Sequence, residues 1–218
     1  LFRSVHALRE VDDRAVLAAA RAQQRTFERR MGGATTPHAA DRPVDFERDE
    51  RRQRRVVLVE RMADDDRLIE VLGEIRARGA IGEASLEEAV AHAEQYVAAL
   101  PEELGVIADL GSGGGLPGLV IAVRRPATRV VLVERRTARA DLLRRAVGAL
   151  GLGDRVEVVA TDVAELAETR GESFDAVTAR SFAAPAVTAR WASALLRTGG
   201  VLVVSEPPTD AGDRWPAE

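Results

Sequence analysis

The densest run of residues able to do chemistry is Asp109-Leu110-Gly111-Ser112-Gly113-Gly114-Gly115-Leu116-Pro117-Gly118. Glycines at 111, 113 and 115 let a strand turn sharply into a helix with no Cβ in the way of a ligand, and the amides at the helix start offer donors to it. Pro117 suits the first helical turn, where no amide partner is required. Residues 113–118 also spell Gly-x-Gly-x-x-Gly, and Glu134 closes the next apolar run, where an acid can grip a ribose diol. Loop and acid together are compatible with a nicotinamide or flavin dinucleotide and with S-adenosylmethionine. Two further acids favour the second ligand. Asp109 would repel a pyrophosphate but can face a cationic methionine end; its plainer role is to cap the loop amides. Asp162 can accept from an adenine amino group; its plainer role is the N-cap of the following helix.

The elements that must position these residues follow a regular alternation. Val106–Leu110, Val130–Glu134, Val156–Ala160, Phe174–Ala179 and Val201–Ser205 are short, nearly unbroken apolar runs, separated by candidate helices at 116–125, 138–150, 163–169 and 185–196. Strands and helices alternating at this spacing require a parallel sheet covered on both faces, an α/β fold of the Rossmann-like kind.

The first hundred residues lack that rhythm. Helical spacing runs over 12–30, and the stretch through Pro37, His38 and Pro43 reads as a loop. Val56–Val59, inside an arginine-rich segment from Arg48 to Arg61, fits either a short strand or a buried helical turn. Residues 66–78 read as a helix stopping at Gly79, and Ser85 with Glu88 forms a capping box for a helix ending before Pro101. The expected organisation is a helical region over 1–100 and an α/β core over 101–218.

Composition narrows the chemistry. Cysteine is absent, which removes disulfides, thiolate nucleophiles and cysteine metal sites, and His6, His38 and His92 are too scattered for a metal centre. Lysine is absent too, so all 31 basic side chains are arginine. No run is apolar and long enough to span a membrane, and no secretory signal opens the chain, so a cytoplasmic location without membrane association is expected. The net charge of -4 hides a gradient: residues 1–61 carry 14 arginines against 10 acids, residues 62–105 carry 3 against 11, and residues 106–218 carry 14 against 14. A local arginine face can still meet phosphate.

The glycine loop, with Arg125-Pro126, Leu132-Val133-Glu134, Arg139 and Thr178-Ala179-Arg180-Ser181-Phe182-Ala183, resembles the RsmG (GidB) family of small-subunit ribosomal RNA methyltransferases. The resemblance covers about residues 106–205. It implies a class I S-adenosylmethionine-dependent methyltransferase fold and methyl transfer to N7 of a guanine in 16S ribosomal RNA. It places cofactor contacts on Gly111, Gly113, Gly115 and Glu134, and RNA or active-site contacts on Arg139 and Arg180. Guanine N7 carries a lone pair, so catalysis needs alignment more than a base; Arg180 would hold a phosphate or the guanine edge, and Phe182 would stack on a base. Departures lie at Ala138, where the family has a basic residue, and at Ser205-Glu206-Pro207-Pro208, where it has a Lys-Gly pair. The 13 residues after Ser205 are too few for the antiparallel pair that closes the family's sheet, which leaves an open edge for the N-terminal region or for a homo-oligomer. The net acidity and Glu206 fit a small-molecule methyltransferase as an alternative, and the missing strands fit a non-catalytic cofactor-binding or interaction module.

Overall fold

Residues alternate between the two faces of a strand, so a strand covered on both sides must be apolar at nearly every position. The computed structural model describes residues 4–9, 46–82 and 84–206 and turns all five apolar runs into strands. Its elements are β1 (Ser4–Arg9), α1 (Phe46–Ala77), α2 (Leu86–Ala99), β2 (Val106–Leu110), α3 (Gly118–Arg124), β3 (Arg129–Val133), α4 (Thr137–Ala149), β4 (Val156–Val159), α5 (Val163–Arg170), β5 (Phe174–Ala179), α6 (Pro185–Leu195) and β6 (Leu196–Glu206).

One six-stranded sheet runs in the order β1-β6-β5-β2-β3-β4. The five strands from β6 to β4 are mutually parallel, while β1 runs antiparallel along β6 from Ser4 opposite Glu206 to Arg9 opposite Val201. Strand parity divides the core. Ile107, Leu132, Ala176 and Val203 face a layer built from α1 to α4, represented by Leu72, Tyr96, Leu119 and Leu143. Ala108, Val133, Val177 and Leu202 face α5 and α6 through Leu166 and Leu195. Each of the valine, leucine and isoleucine side chains among them contributes about 1.5–3 kcal/mol by leaving water.

Polar ties fix the frame around the amino ends of the strands. The largely buried Arg124 on α3 donates to Asp65 on α1 at 2.5 Å and to Glu94 on α2 at 2.6 Å, locking three helices in one layer. Asp175 accepts from the amides of Gly105 and Val106, both at 2.7 Å, at the entry to β2.

Several expectations acquire a definite form. Val56–Val59 is helical, within α1, and the amide of Glu88 donates to Ser85 Oγ at 3.1 Å at the start of α2. Pro117 is the N-cap of α3 rather than part of its first turn. The helix expected over 12–30 and the loop through Pro43 lie outside the described residues. Nothing in the spacing of Ser4–Arg9 predicts a strand, yet β1 takes the edge of β6. Its backbone groups satisfy those along β6, so on that side the edge of the sheet is β1. By internal contacts the chain divides into a unit of residues 1–9 with 63–218 and a unit of residues 10–62. Among the described residues no helix is long and apolar enough to cross a membrane.

Candidate functional site

In a parallel sheet a crevice opens where the chain changes direction of travel, because the loops on either side diverge. Here the chain moves outward from β2 through β3 to β4, then returns to β5 on the other side of β2 and continues to β6. The carboxyl ends of β2 and β5 flank that switch point. A cavity of about 420 Å³ lies there, in the usual size range of small-ligand sites. Gly111 after β2, Val133 to Arg139 around the β3–α4 turn, Thr161 to Val163 after β4, Ser181 to Ala183 after β5, and Trp191 on α6 contribute to its wall.

The glycines of the loop have different tasks. Gly111, Gly113 and Gly115 all adopt positive φ, at 66°, 54° and 89°. At Gly113 a Cβ would have only ordinary neighbours, Gly111 O at 3.5 Å and an Arg139 guanidinium nitrogen at 3.9 Å, so the bend is open there. A Cβ on Gly111 would approach the Phe182 ring to 2.9 Å, which sets that aromatic across the bend. A Cβ on Gly115 would run into Leu119, so this glycine serves the packing of α3 and not the cavity. Gly114 and Gly118, to which the spacing gave no separate role, are equally constrained. A Cβ on Gly114 would meet Ala80 O at 2.7 Å, and one on Gly118 would meet Asp109 Oδ2 at 2.7 Å.

Glu134 is 5% exposed, yet it lines the cavity. Its Oε2 accepts from the Gly113 amide at 3.1 Å and its Oε1 from the Arg136 amide at 2.8 Å. One carboxylate thus holds the glycine bend and the β3–α4 turn in register, while further lone pairs remain for a diol. Asp162 lies across the cavity and caps α5, its Oδ1 accepting from the Ala164 amide at 3.0 Å. The capping role and the cavity position coexist in one side chain.

Asp109 is placed differently from its expected position facing the ligand. It is 1% exposed and lies beneath the loop, on the face of β2 that meets α2 and α3, outside the cavity lining. Thr178 Oγ1 donates to its Oδ1 at 2.8 Å, and its Oδ2 has no hydrogen-bond partner. The Gly118 amide lies near Oδ2 and favours its charge slightly, but without hydrogen-bond geometry. Burial pushes the Asp109 carboxyl up to about 6, against the opposing pull of Thr178, Ser112 and the Arg180 charge.

The two predicted arginines part company. Arg139 lines the cavity beside Gly113. Arg180 leaves β5 toward α2, near Asp109 and Tyr96, and does not line the cavity. Burial lowers its pKa while the neighbouring Tyr96 and Asp109 raise it. Tyr96 is fully buried and donates to Ala179 O at 3.2 Å; burial pushes its hydroxyl up to about 12. His92 stands edge-on to Tyr96 with ring centroids 5.7 Å apart, and burial followed by the Arg180 charge lowers its pKa.

Among the wall residues to which the sequence gave no role, Arg135, Arg136 and Trp191 are the largest. Arg135 and Arg136 follow Glu134 directly, and Trp191 closes the α6 side with the Arg190 guanidinium 5.0 Å from its ring centroid. The signal for the arginine pair is positional, since residues just after an acid that ends a strand at the switch point must lie over whatever the acid binds.

The family model for rRNA small subunit methyltransferase G matches residues 81–206. Similar proteins include the ribosomal RNA small subunit methyltransferase G of a Nocardioides species, 35% identical over 175 residues that cover 74% of this chain and 69% of the relative. The enzyme of that name from Rubrobacter xylanophilus is 43% identical over 102 residues, covering 44% of this chain and 37% of the relative. The chain spans about half the length or less of most curated relatives it matches. Among solved structures, the cofactor-bound protein Rv0187 from MTB superposes with a TM-score of 0.52 at 26% identity over 64% of each chain. The O-methyltransferase from Bacillus cereus in complex with SAH gives 0.52 at 23% identity, covering 64% of this chain and 65% of that one. The fold is that of the class I, Rossmann-like methyltransferases.

Proposed function

Because the chain belongs to the rRNA small subunit methyltransferase G family, we propose that it transfers a methyl group from S-adenosylmethionine to N7 of a guanine in small-subunit ribosomal RNA. One observation carries the cofactor half of this reading. The glycine bend, through Gly111, and the buried carboxylate of Glu134 line one cavity, and Glu134 is tied to the bend by the Gly113 amide. That arrangement suits an adenosyl group. Glu134 accepts from ribose hydroxyls, Gly111 and Gly113 admit the ligand close to backbone, Asp162 accepts from the adenine amine, and Val163 and Trp191 supply apolar wall. Gly115 supports the bend from below through α3.

When bound, the cofactor supplies a methyl carbon made electrophilic by a sulfonium. The residues of this chain then have to hold the acceptor in line and keep its N7 lone pair free, which asks for positioning and not proton transfer. Arg139 at the cavity and Arg180 at the end of β5 are the proposed contacts for the acceptor. Asp109, buried and without access to the cavity, acts in this reading as a support for the loop. A ribosomal RNA acceptor sets the activity in the cytoplasm.

The test is transfer of a labelled methyl group to 16S RNA lacking its native modification, with the product mapped to a base and atom. Label on a guanine N7 is the expected result. Unlabelled RNA, together with labelling of small-molecule acceptors, would redirect the reading to a small-molecule methyltransferase. Failure to bind either S-adenosylhomocysteine or NAD would leave an interaction module.

A further inference from the structure

We infer that Arg135 and Arg136, together with Arg139, form a phosphate-binding rim that grips the backbone of an RNA acceptor at the mouth of the cavity. The inference rests on the function proposed above and assigns its acceptor contacts.

The rim brings three positive charges together, none of them held in an ion pair among the described residues. Arg135 and Arg136 are exposed and Arg139 is half-buried, and all three line the cavity. Their side chains form no ion pair or hydrogen bond among the described residues. Neighbouring arginines are used differently. Arg124 pairs with Asp65 and Glu94, Arg144 with Asp141, Arg170 with Glu157 and Arg197 with Asp175, while Arg125 and Arg155 donate to carbonyls. The two acids of the cavity wall keep their charge, leaving the lining net positive by one, and neither forms an ion pair with a rim arginine. Glu134 is engaged by the amides of Gly113 and Arg136, and Asp162 by that of Ala164.

The start of α4 adds to the same field. Arg136 is its N-cap and makes no side-chain cap bond, and no acid lies in its first turn, whereas α2 begins with Ser85, Glu87 and Glu88 and α5 with Asp162 and Glu165. Glu134 takes the Arg136 amide at this helix start, and the three guanidinium groups beside it remain without an anion of their own. The proposed cofactor carries no phosphate, and its one carboxylate belongs to the methionine end, away from the ribose assigned to Glu134, so a phosphate at the rim belongs to the acceptor. A chain of phosphodiesters passing the mouth offers repeated negative charges to the three arginines and brings a base to the cavity. The rim also supplies, from the β3–α4 turn, positive charge that Ala138 does not.

The experiment compares wild type, Arg135→Ala/Arg136→Ala, Arg135→Lys/Arg136→Lys and the control Arg144→Ala, which removes a charge from α4 away from the cavity. RNA affinity is measured on unmodified 16S RNA as a function of salt, separately from methyl transfer, and S-adenosylhomocysteine affinity reports an intact fold. The double alanine variant should lose on the order of tenfold or more in RNA affinity, and the slope of log affinity against log salt should fall by about 2. The lysine variant should recover much of the slope, because lysine still neutralises a phosphate, and Arg144→Ala should behave as wild type.

Unchanged RNA affinity in the alanine variant overturns the inference, as does an equal loss in Arg144→Ala. If the wild-type protein does not bind RNA, inference and proposed function fail together. If it binds RNA and transfers no methyl group, only the proposed function fails, and the variants still decide the rim. NAD is titrated in parallel. An NAD affinity that falls with the alanine pair would assign the rim to a cofactor pyrophosphate and overturn the RNA assignment.

Discussion

Glu134 holds Gly113: the buried carboxylate at the end of β3 accepts, at 3.1 Å, the amide of the one glycine in the 111–118 loop where a Cβ would meet no close clash. The same group therefore shapes the bend and faces the cavity. Glu134→Gln retains one acceptor oxygen and places an NH₂ group against an amide donor, so both functions weaken. An affinity loss for S-adenosylhomocysteine on the order of tenfold to a hundredfold is expected from a lost charge-assisted bond and an unsatisfied donor. Calorimetric titration measures it, and wild-type affinity in the variant would remove Glu134 from the cofactor site.

Gly113 and Gly115 should separate binding from folding. Both sit at positive φ, where a side chain costs on the order of 1 kcal/mol or more. At Gly115 a Cβ would also strike Leu119, inside the layer that carries α3 and α4. Gly115→Ala should therefore lower thermal stability by several degrees, with any cofactor loss following from a loosened loop. Gly113→Val should cost less stability and abolish cofactor binding, because its branched side chain would fill the bend. Thermal melts with and without S-adenosylhomocysteine read both effects. Ligand-induced stabilisation that persists in Gly113→Val would count against the cavity as the adenosyl site.

Asp109 should impose a pH dependence on stability. Its carboxyl lies near 4 in the unfolded chain and is pushed up to about 6 in the fold by burial. Between those values the folded protein binds more protons than the unfolded one, so this group makes stability fall as pH rises from about 4 to about 6 and level off above. Asp109→Asn removes the buried charge while keeping an acceptor for Thr178. The variant should be more stable than wild type above pH 6, by on the order of 2–3 kcal/mol for a shift of about two units, and the difference should vanish toward pH 4. Denaturant unfolding across that range tests it, and a constant difference would mean that the Asp109 side chain titrates normally.

The parallel strands were legible because burial on both faces forces uninterrupted apolar runs such as Val130–Val133, and the loop because six glycines and prolines between two such runs leave little else to build. β1 was not legible. Ser-Val-His-Ala-Leu-Arg alternates too weakly to stand out, and its partner β6 lies at the other end of the sequence, so only the tertiary fold creates the pairing. The separation of Arg139 from Arg180 was available in principle. Ala176, Thr178 and Arg180 share a strand parity with Ile107 and Asp109, which directs Arg180 toward α2 and away from the cavity. The task of Gly115 was hidden because a glycine required by a ligand and one required by Leu119 are written identically in a sequence. Trp191 was hidden for a related reason, since a tryptophan on an amphipathic helix serves a core and a cavity wall equally well.

The charge of Arg180 ties that acid to the end of β5, and the link gives a last test. Asp109 helps to keep the half-buried guanidinium protonated, and the guanidinium in turn lowers the Asp109 pKa. Removing it in Arg180→Ala should raise the Asp109 pKa above about 6 and move the pH midpoint of the stability curve upward. The additional cost at neutral pH should then be relieved by Asp109→Asn, so the two substitutions should be non-additive in a double-mutant cycle. If Arg180 also contacts the acceptor, Arg180→Ala should raise KM for RNA or lower turnover even where the Asp109→Asn background has abolished the pH effect. A purely structural Arg180 would shift the midpoint and leave RNA kinetics of the double variant equal to those of Asp109→Asn. An unmoved midpoint would mean that the two charges are not coupled, and the buried acid would owe its shift to desolvation alone.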